Sequence, residues 1–120
     1  MRKKELGLTL VEVMIVICIL GLIIAVALPN FLRARREANA KLCLTNLKQI
    51  EAAKERWSFS YGAALDEEIY ITDLVPDFIR VAPVCPDNGE YTPGILVDNP
   101  TCSIGTNNTA EIFDDHELPY

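Results

Sequence analysis

The sequence predicts an α+β fold in which one long N-terminal helix packs on a small C-terminal antiparallel β-sheet. Residues 8–28 are an apolar run with a single charge. Residues 31–60 contain no glycine or proline and are rich in helix-forming side chains. After residue 80, short β-prone segments alternate with turn sequences containing glycine, proline, asparagine or aspartate. With 120 residues, the chain has room for one small domain beside the apolar run.

The apolar run from Leu8 to Leu28 is long enough to cross a membrane as a helix. Its 21 residues, at about 1.5 Å each, cover roughly 30 Å, which is the thickness of the hydrocarbon core. The only charge in the run is Glu12, and an unpaired carboxylate in hydrocarbon costs on the order of a few kcal/mol. We therefore expect a cationic partner. Cleavage after Gly7 would supply one, the new amino group of Leu8, within one helical turn or on a neighbouring subunit.

This region resembles the type IV pilin and type II secretion pseudopilin family. In that family a basic leader ends in glycine, a membrane peptidase cuts after the glycine and methylates the new N-terminus, and a glutamate is the fifth mature residue. Gly7 and Glu12 match this pattern, and so do Gly21 and residues 28–31. Leu8 departs from it, because the family usually has phenylalanine there.

The resemblance implies a pilin-like fold with four segments. They are a leader peptide (1–7), a transmembrane and filament-core helix (8–29), an amphipathic stem helix (30–60) and a globular head (61–120). The precursor would lie in the inner membrane, and the mature protein in an extracellular or periplasmic filament of a bacterium. The implied partners are other copies of the chain, a prepilin peptidase and an inner-membrane assembly platform with an ATPase. Glu12 would pair with the amino group of Leu8 on a neighbouring copy.

Two other interpretations of the N-terminus stay open. Basic residues 2–4, an apolar core at 13–24 and the Ala-Val-Ala sequence at 25–27 also fit an ordinary secretory signal peptide. Against this, Glu12 would interrupt the leader without purpose, and the helical pattern continues past Pro29. The second interpretation is an uncleaved membrane anchor.

The N-terminal helix has two weak points, Gly21 and Pro29. Glycine inside a helix costs about 1 kcal/mol relative to alanine, and proline removes a backbone hydrogen bond, so that we expect a kink near Pro29. In filaments of the family that the chain resembles, the segment between such residues can lose helicity. We therefore expect local melting between Gly21 and Pro29 on assembly.

The stem helix carries one apolar stripe. Its residues recur at spacings of four, three, seven and four: Cys43, Leu47, Ile50, Trp57 and Tyr61. We expect the head to cover this stripe, with Trp57 as its largest anchor. The helix should end at Tyr61-Gly62, because glycine accepts the left-handed conformation of a helix cap.

The head is predicted to contain a short helix and a small sheet. Thr72 is placed to cap a helix over residues 73–79, which would turn Leu74 and Phe78 inward. The strands are expected around residues 90–92, 95–98, 101–104 and 110–113. The sheet would lie on the apolar stripe of the stem.

Charge divides sharply along the chain. Residues 33–56 carry seven basic and three acidic side chains, a net charge near +4, whereas residues 61–120 carry twelve acidic side chains and one basic side chain, a net charge near −11. An acidic head repels nucleic-acid phosphates, so no direct nucleic acid binding is expected. The head either complements the basic stem of another copy or serves solubility alone.

Four cysteines allow three complete disulfide pairings. Cys18 lies in the apolar run and Cys43 on the stem, whereas Cys85 and Cys102 bracket a short loop-rich segment. The family resemblance reaches this segment through a Cys-Pro-x-x-Gly-x-Tyr pattern that starts at Cys85. We expect a Cys85–Cys102 bridge, worth roughly 3 kcal/mol, and an oxidising, extracytoplasmic setting. A metal site is not expected, because the chain has no Cys-x-x-Cys and its only histidine, His116, is near the C-terminus.

Some secretion pseudopilins of the family bind Ca²⁺, and four aspartates of the head are weak candidate ligands. They are Asp87, Asp98, Asp114 and Asp115. Their spacing matches no EF-hand loop, so a solvated acidic rim is expected instead. Residues 107–109 form a glycosylation sequon, a pattern that arises easily by chance.

The sequence contains no catalytic constellation, and we do not expect an enzyme. A hydrolase needs a nucleophile beside a base, and the single histidine lies in an acidic tail. No phosphate-binding glycine loop is present, and no cofactor is expected. The resemblance implies a structural subunit of a type IV filament, polymerising through its apolar helix as a major pilin. The alternatives are a type II secretion pseudopilin and a membrane-anchored or secreted binding module.

Overall fold

The structure, a computed structural model, describes residues 7–106 and 112–118. One helix dominates it, and the remaining elements are short. They are α1 (Leu10–Tyr61), β1 (Glu68–Ile69), α2 (Ile71–Leu74), β2 (Tyr91–Thr92), β3 (Gly94–Ile95), β4 (Thr101–Cys102) and a 3₁₀ turn (Ile112–Asp114). The predicted α+β fold, a long N-terminal helix with small antiparallel sheets, is confirmed.

Helix α1 has a defined signal at each end. The Thr9 hydroxyl accepts a hydrogen bond from the backbone N–H of Glu12 at 3.2 Å, which satisfies one free donor of the first turn. Gly62 follows the last helical residue with a φ of +62°, and its N–H donates to the Ser58 carbonyl oxygen at 2.8 Å. The predicted C-terminal end of the helix is therefore confirmed.

Contacts divide the chain into two compact units, residues 1–34 and 35–120. In the first unit, every described side chain is exposed. Among the described residues, α1 is the one helix that contains a stretch long and apolar enough to cross a membrane, judged by length and composition alone. The helix continues through Pro29, and the kink expected there stays a prediction.

The core of the second unit lies along one face of α1. The helix contributes five buried apolar residues, Ala40, Cys43, Leu47, Ile50 and Ala53. The other buried apolar residues come from the segments that follow the helix: Ile69, Leu74, Ile79, Cys85, Tyr91, Cys102 and Leu118. The predicted stripe is thus confirmed from Cys43 to Ile50.

The predicted C-terminal end of the stripe is confirmed only in part. Trp57 is half-buried and packs against the core, whereas the prediction is wrong at Tyr61, which is 66% exposed. The centroids of these two rings are 5.6 Å apart, and the Phe78 ring lies 6.3 Å from that of Tyr61. The rings of Trp57 and Phe78 pack against the core, and the buried position one turn after Ile50 is occupied by Lys54.

The strands form two separate two-stranded antiparallel sheets instead of the single sheet expected. Strand β1 pairs with β3, and β2 pairs with β4 with Tyr91 opposite Cys102. The sequence did not predict β1, which is only two residues long. A strand was also expected at 110–113. This prediction is wrong for residues 112 and 113, which belong to the 3₁₀ turn, and residues 110 and 111 lie outside the described residues.

Helix α2 starts two residues earlier than predicted and is only four residues long. The backbone N–H of Tyr70 donates to the Asp73 carboxylate at 2.9 Å, whereas the expected cap residue, Thr72, lies inside the helix. The backbone is extended at Val75, with a φ of −107°. Since the residue before a proline is disfavoured in the helical region, Pro76 explains the early end.

Candidate functional site

The peptide bond between Gly7 and Leu8 lies in exposed, non-helical backbone directly before α1. The side chain of Leu8 is 75% exposed. Peptidases cut preferentially where the backbone is accessible and free of regular structure. The bond is therefore accessible for the cleavage expected from the sequence, while leader residues 1–6 lie outside the described residues.

Glu12 lies in the first turn of α1, and its side chain is exposed. It makes no ion pair with any described residue of the same chain. A carboxylate in the first turn gains about 0.3–1 kcal/mol from the helix dipole, which is less than the cost of burying an unpaired charge in hydrocarbon. The carboxylate therefore still lacks a compensating cation, as expected if the cation arises on cleavage or assembly.

The exposed apolar surface of the first unit runs around the whole helix. All five consecutive residues from Val13 to Ile17 are large, apolar and exposed, although they point in different directions around the helix. The same holds for most positions from Leu10 to Leu28, and we call this the apolar surface. A helix that is apolar on all sides is normally enclosed by lipid or by other helices. This surface therefore requires an environment other than water.

A second candidate site lies in the core of the second unit. Three thiols and one imidazole come together there: Cys43, Cys85, Cys102 and His116, which we call the Cys₃His cluster. Their ligand atoms all lie within 4.8 Å of one another, and each residue is exposed by 6% or less. The Sγ atoms of Cys85 and Cys102 are 3.8 Å apart, and Nδ1 of His116 lies 3.4 Å from Sγ of Cys85. Thiolate and imidazole ligands of this kind are able to hold a soft divalent metal ion.

Each member of the Cys₃His cluster comes from a different segment. Cys43 is on the buried face of α1, and Cys102 is in β4. Cys85 opens a tight turn that is closed by a 3.1 Å backbone hydrogen bond to its carbonyl oxygen. His116 follows the 3₁₀ turn, and its backbone N–H donates to the Gly105 carbonyl oxygen at 2.8 Å. The cluster therefore exists only when all four segments are in place.

Gly89 allows the backbone to approach two of the sulfurs. A Cβ atom at this position would lie 2.5 Å from Sγ of Cys102 and 3.2 Å from Sγ of Cys85. Packing therefore explains the glycine of the Cys-Pro-x-x-Gly-x-Tyr pattern, because the side chain of any larger residue would collide with the sulfurs.

The far side of the His116 ring is bound by a carboxylate. Nε2 of His116 lies 3.2 Å from Oδ2 of Asp87. The other carboxylate oxygen of Asp87 accepts a hydrogen bond from the Asn39 side-chain amide at 2.7 Å. Asp87 and Asn39 therefore hold the imidazole with its Nδ1 atom towards the sulfurs.

The three thiols of the cluster differ in acidity. Burial raises the pKa of Cys43 from 9.0 to about 12, and it also raises the pKa of Cys102. Burial acts in the same direction on the pKa of Cys85, but hydrogen bonding by the backbone of Asp87 and Gly89 and by the other two thiols together outweighs it, so that this pKa is lowered. Cys85 is therefore the thiol that most readily becomes a thiolate.

The expected disulfide partners, Cys85 and Cys102, are brought together, but their sulfur atoms are not bonded. The bridge between them stays a prediction. Cys18 is exposed in the first unit, whereas Cys43 joins the cluster, which the sequence did not predict. The four residues of the cluster come from separate segments, so the lack of a Cys-x-x-Cys sequence does not decide whether they bind a metal ion.

The four aspartates suggested for calcium are not gathered in one place. Among the described residues, the Cys₃His cluster is the single group of three or more His, Cys, Asp or Glu side chains close enough to share an ion. Asp87 contacts the cluster, and Asp98 is exposed. Asp114 is 2% exposed and Asp115 is half-buried. The prediction that these aspartates form a solvated acidic rim is therefore wrong for Asp114. The sequon at 107–109 lies outside the described residues.

The sequence also did not predict that Lys54 is buried. Lys54 is 2% exposed, and its Nζ atom donates to the carbonyl oxygens of Pro93 and Asp98, both at 2.6 Å. Burial lowers the pKa of Lys54, and nearby carboxylates oppose this only in part. One feature of the sequence could have indicated this burial. The apolar stripe has a gap between Ile50 and Trp57, and residue 54 continues the helical spacing in that gap.

The N-terminal region matches a known family model. Its description is prokaryotic N-terminal methylation motif, and the match covers residues 2–28. The matched range contains Gly7, Leu8 and Glu12.

Two of the proteins similar to this chain match beyond that motif. Type II secretion system core protein G of Vibrio cholerae is 29% identical over 93 residues, which are 77% of this chain and 60% of that protein. Type IV major pilin protein PilA of Myxococcus xanthus is 39% identical over 54 residues, which are 45% of this chain and 24% of that protein. The chain thus spans less than two thirds of either relative, and no solved structure matches it significantly. The chain therefore carries a prokaryotic N-terminal methylation motif, and it is homologous to a type II secretion pseudopilin and to a type IV pilin.

Proposed function

We propose that this chain is a structural subunit of a type IV filament and that it polymerises through its N-terminal helix as a major pilin. The observation that carries this proposal is the apolar surface, exposed on all sides from Leu10 to Leu28, with one carboxylate at its start. Lipid covers such a surface in the precursor, and identical helices cover it in a filament. The subunit therefore moves from the inner membrane into an extracellular or periplasmic filament.

Cleavage after Gly7 precedes assembly. The methylation-motif match over residues 2–28 and the exposed, non-helical backbone at this bond both support it. A prepilin peptidase would remove the leader (1–7) and methylate the amino group of Leu8, and an inner-membrane platform with an ATPase would extract the subunit. The mature chain then consists of the filament-core helix (8–29), the stem (30–60) and the head (61–120).

Glu12 determines the register between subunits in this mechanism. Its carboxylate has no cation in the single chain, and a buried charge without its partner costs about 3–5 kcal/mol. The amino group of Leu8 on a neighbouring copy removes this cost at one relative position only. The segment between Gly21 and Pro29 loses helicity on assembly, which adjusts the length of the packed helix.

The test is to replace Glu12 by alanine and, separately, by glutamine in the native cell. Glu55→Ala is the control, because Glu55 is an exposed glutamate of the same helix outside the apolar surface. We expect all three variants in the membrane at wild-type amounts, with sheared filaments absent for both Glu12 variants and present for Glu55→Ala. Filaments at wild-type yield from Glu12→Gln would contradict the charge-pairing mechanism.

A type II secretion pseudopilin is the second candidate function. The match to the Vibrio cholerae protein covers 77% of this chain, compared with 45% for the Myxococcus xanthus pilin, which supports this candidate. Deletion of the gene separates the two functions. Loss of surface filaments indicates a pilus, whereas loss of protein export with surface filaments retained indicates a pseudopilus.

A further inference from the structure

We propose that the Cys₃His cluster binds one Zn²⁺ as a closed structural site that holds the head on the stem part of α1. The proposal concerns the second unit and does not depend on the filament function. Three thiolates and one imidazole are a common ligand set of structural zinc, and soft thiolates favour zinc over calcium or magnesium.

The distances within the cluster fit a tetrahedral zinc site. With metal–sulfur bonds of about 2.3 Å, two sulfurs of a tetrahedron lie about 3.8 Å apart, and a sulfur and a nitrogen lie about 3.5 Å apart. The sulfurs of Cys85 and Cys102 are 3.8 Å apart, and Nδ1 of His116 is 3.4 Å from the sulfur of Cys85. The ligand atom of Cys43 lies within 4.8 Å of the other three. Cys85, Cys102 and His116 thus already have tetrahedral spacing around Cys85, and a shift of about 1 Å or less brings Cys43 to the same spacing.

The surroundings of the histidine are those of a metal ligand. Metal-binding histidines usually donate their second ring N–H to a carboxylate, which fixes the tautomer and the ring orientation. Nε2 of His116 faces the Asp87 carboxylate at 3.2 Å, and Asn39 in turn donates to Asp87 at 2.7 Å. This arrangement leaves Nδ1 as the acceptor atom that points at the sulfurs.

The sulfurs lie close to the backbone at Gly89. A Cβ atom at this position would lie 2.5 Å from the sulfur of Cys102 and 3.2 Å from that of Cys85, so the site has no room for a side chain there. On zinc binding, the thiol protons of the three cysteines pass to solvent, and the imidazole stays neutral.

Burial identifies the site as structural and not catalytic. All four ligand residues are exposed by 6% or less, so no open coordination position faces solvent. The ligands come from α1, the turn at Cys85, β4 and the segment after the 3₁₀ turn. One ion would therefore join four segments of a small core in which the sheets have only two strands each.

The first experiment measures zinc and thiols in the full chain, purified in detergent without chelator. We expect one zinc per chain, either as purified or after Zn²⁺ is added to the reduced protein. Once the metal is removed, denaturation without reductant should expose all four cysteines to alkylation. Failure of reduced protein to bind Zn²⁺, or a Cys85–Cys102 disulfide with only two reactive thiols, would overturn the proposal.

Variants distinguish metal binding from packing. Cys43→Ser should abolish zinc binding, because Cys43 is a ligand but takes no part in the expected disulfide, whereas Cys18→Ser should retain full zinc content. Asp87→Asn should weaken zinc affinity by about 10–100-fold, and the exposed Asp77→Asn should not. Equal zinc affinity in Asp87→Asn and wild type would rule out the positioning role of Asp87.

Cobalt tests the geometry without any variant, in case Cys43→Ser does not fold. Co²⁺ added to the reduced, metal-free chain should give the intense visible bands of tetrahedral thiolate coordination, and equimolar Zn²⁺ should remove them. A spectrum typical of octahedral cobalt would contradict the proposed ligands. Chelation of the zinc form should lower the Tm by roughly 10 °C or more, and an unchanged Tm would contradict the structural role.

Discussion

The Nζ atom of Lys54 donates a hydrogen bond of 2.6 Å to the carbonyl oxygen of Asp98 from a side chain that is almost completely buried. A second bond of 2.6 Å goes to the carbonyl oxygen of Pro93. Both acceptors flank β3, so Lys54 connects α1 to this strand. Hydrogen bonds to charged groups contribute about 1.5–3 kcal/mol each, and the desolvation of the ammonium offsets part of that gain.

Replacing Lys54 by methionine should lower the free energy of unfolding by about 2 kcal/mol. The variant keeps the length of the side chain but leaves two buried carbonyl oxygens without a donor. Urea unfolding of the full chain in detergent measures the difference. Lys48→Met, at an exposed position of the same helix, should change stability by less than about 0.5 kcal/mol. Equal effects of the two substitutions would contradict this role of Lys54.

The contribution of Lys54 to stability should increase with pH. Burial lowers its pKa below the ordinary value of 10.5, so the folded chain loses this proton at a lower pH than the unfolded chain. Between the two pKa values the unfolded chain binds more protons, and the free energy of unfolding rises with pH. The stability difference between wild type and Lys54→Met should therefore grow across this window. A constant or shrinking difference would contradict the direction of the shift.

Replacing Leu47 by alanine should destabilise the second unit by about 2–5 kcal/mol, because Leu47 is fully buried and its removal leaves a cavity. Leu42→Ala is the matched control, since Leu42 lies on the same helix and is 56% exposed. We expect the control to change the free energy of unfolding by less than about 0.5 kcal/mol. Chemical unfolding followed by circular dichroism would show whether the two leucines differ as stated.

Replacing Gly89 by alanine should destabilise the protein by about 1–3 kcal/mol, as overpacking does elsewhere. The added methyl group would lie 2.5 Å from the Cys102 sulfur, so the β2–β4 sheet or the Cys85 turn must move. Gly21→Ala is the control, because a Cβ atom there meets nothing within 4 Å. Thermal unfolding should show a loss for the first variant only. If Gly89→Ala is as stable as wild type, the neighbouring residues make room for the methyl group without loss of stability, and the predicted role of Gly89 is contradicted.

The features that the sequence predicted correctly depend on local periodicity. The apolar run at 8–28, the helix end at Tyr61-Gly62 and the buried face at Cys43, Leu47 and Ile50 all follow from residue types at fixed spacings. These signals do not require knowledge of which distant segments meet. Position 54 continues the same helical spacing, but the predicted stripe contained apolar residues only, so the burial of Lys54 was not predicted.

The Cys₃His cluster could not be predicted from local spacing. Cys43 and His116 are far apart in the sequence, and they meet only because the head folds back on α1. The cysteine pair Cys85 and Cys102 was found from its position around a loop, which gave two of the four members. The two-residue strands were similarly hard to place, because such short segments carry almost no periodic signal.

The N-terminus of the protein from its native membrane or filament tests the central claim most directly. Intact mass and N-terminal sequencing should give a chain that begins at Leu8 and carries one methyl group on its amino nitrogen. That result would establish the cleavage after Gly7 on which the pairing of Glu12 depends. A chain that begins at Met1, as in a simple anchored protein, or at Leu28, as in an ordinary secreted domain, would contradict the assembly mechanism.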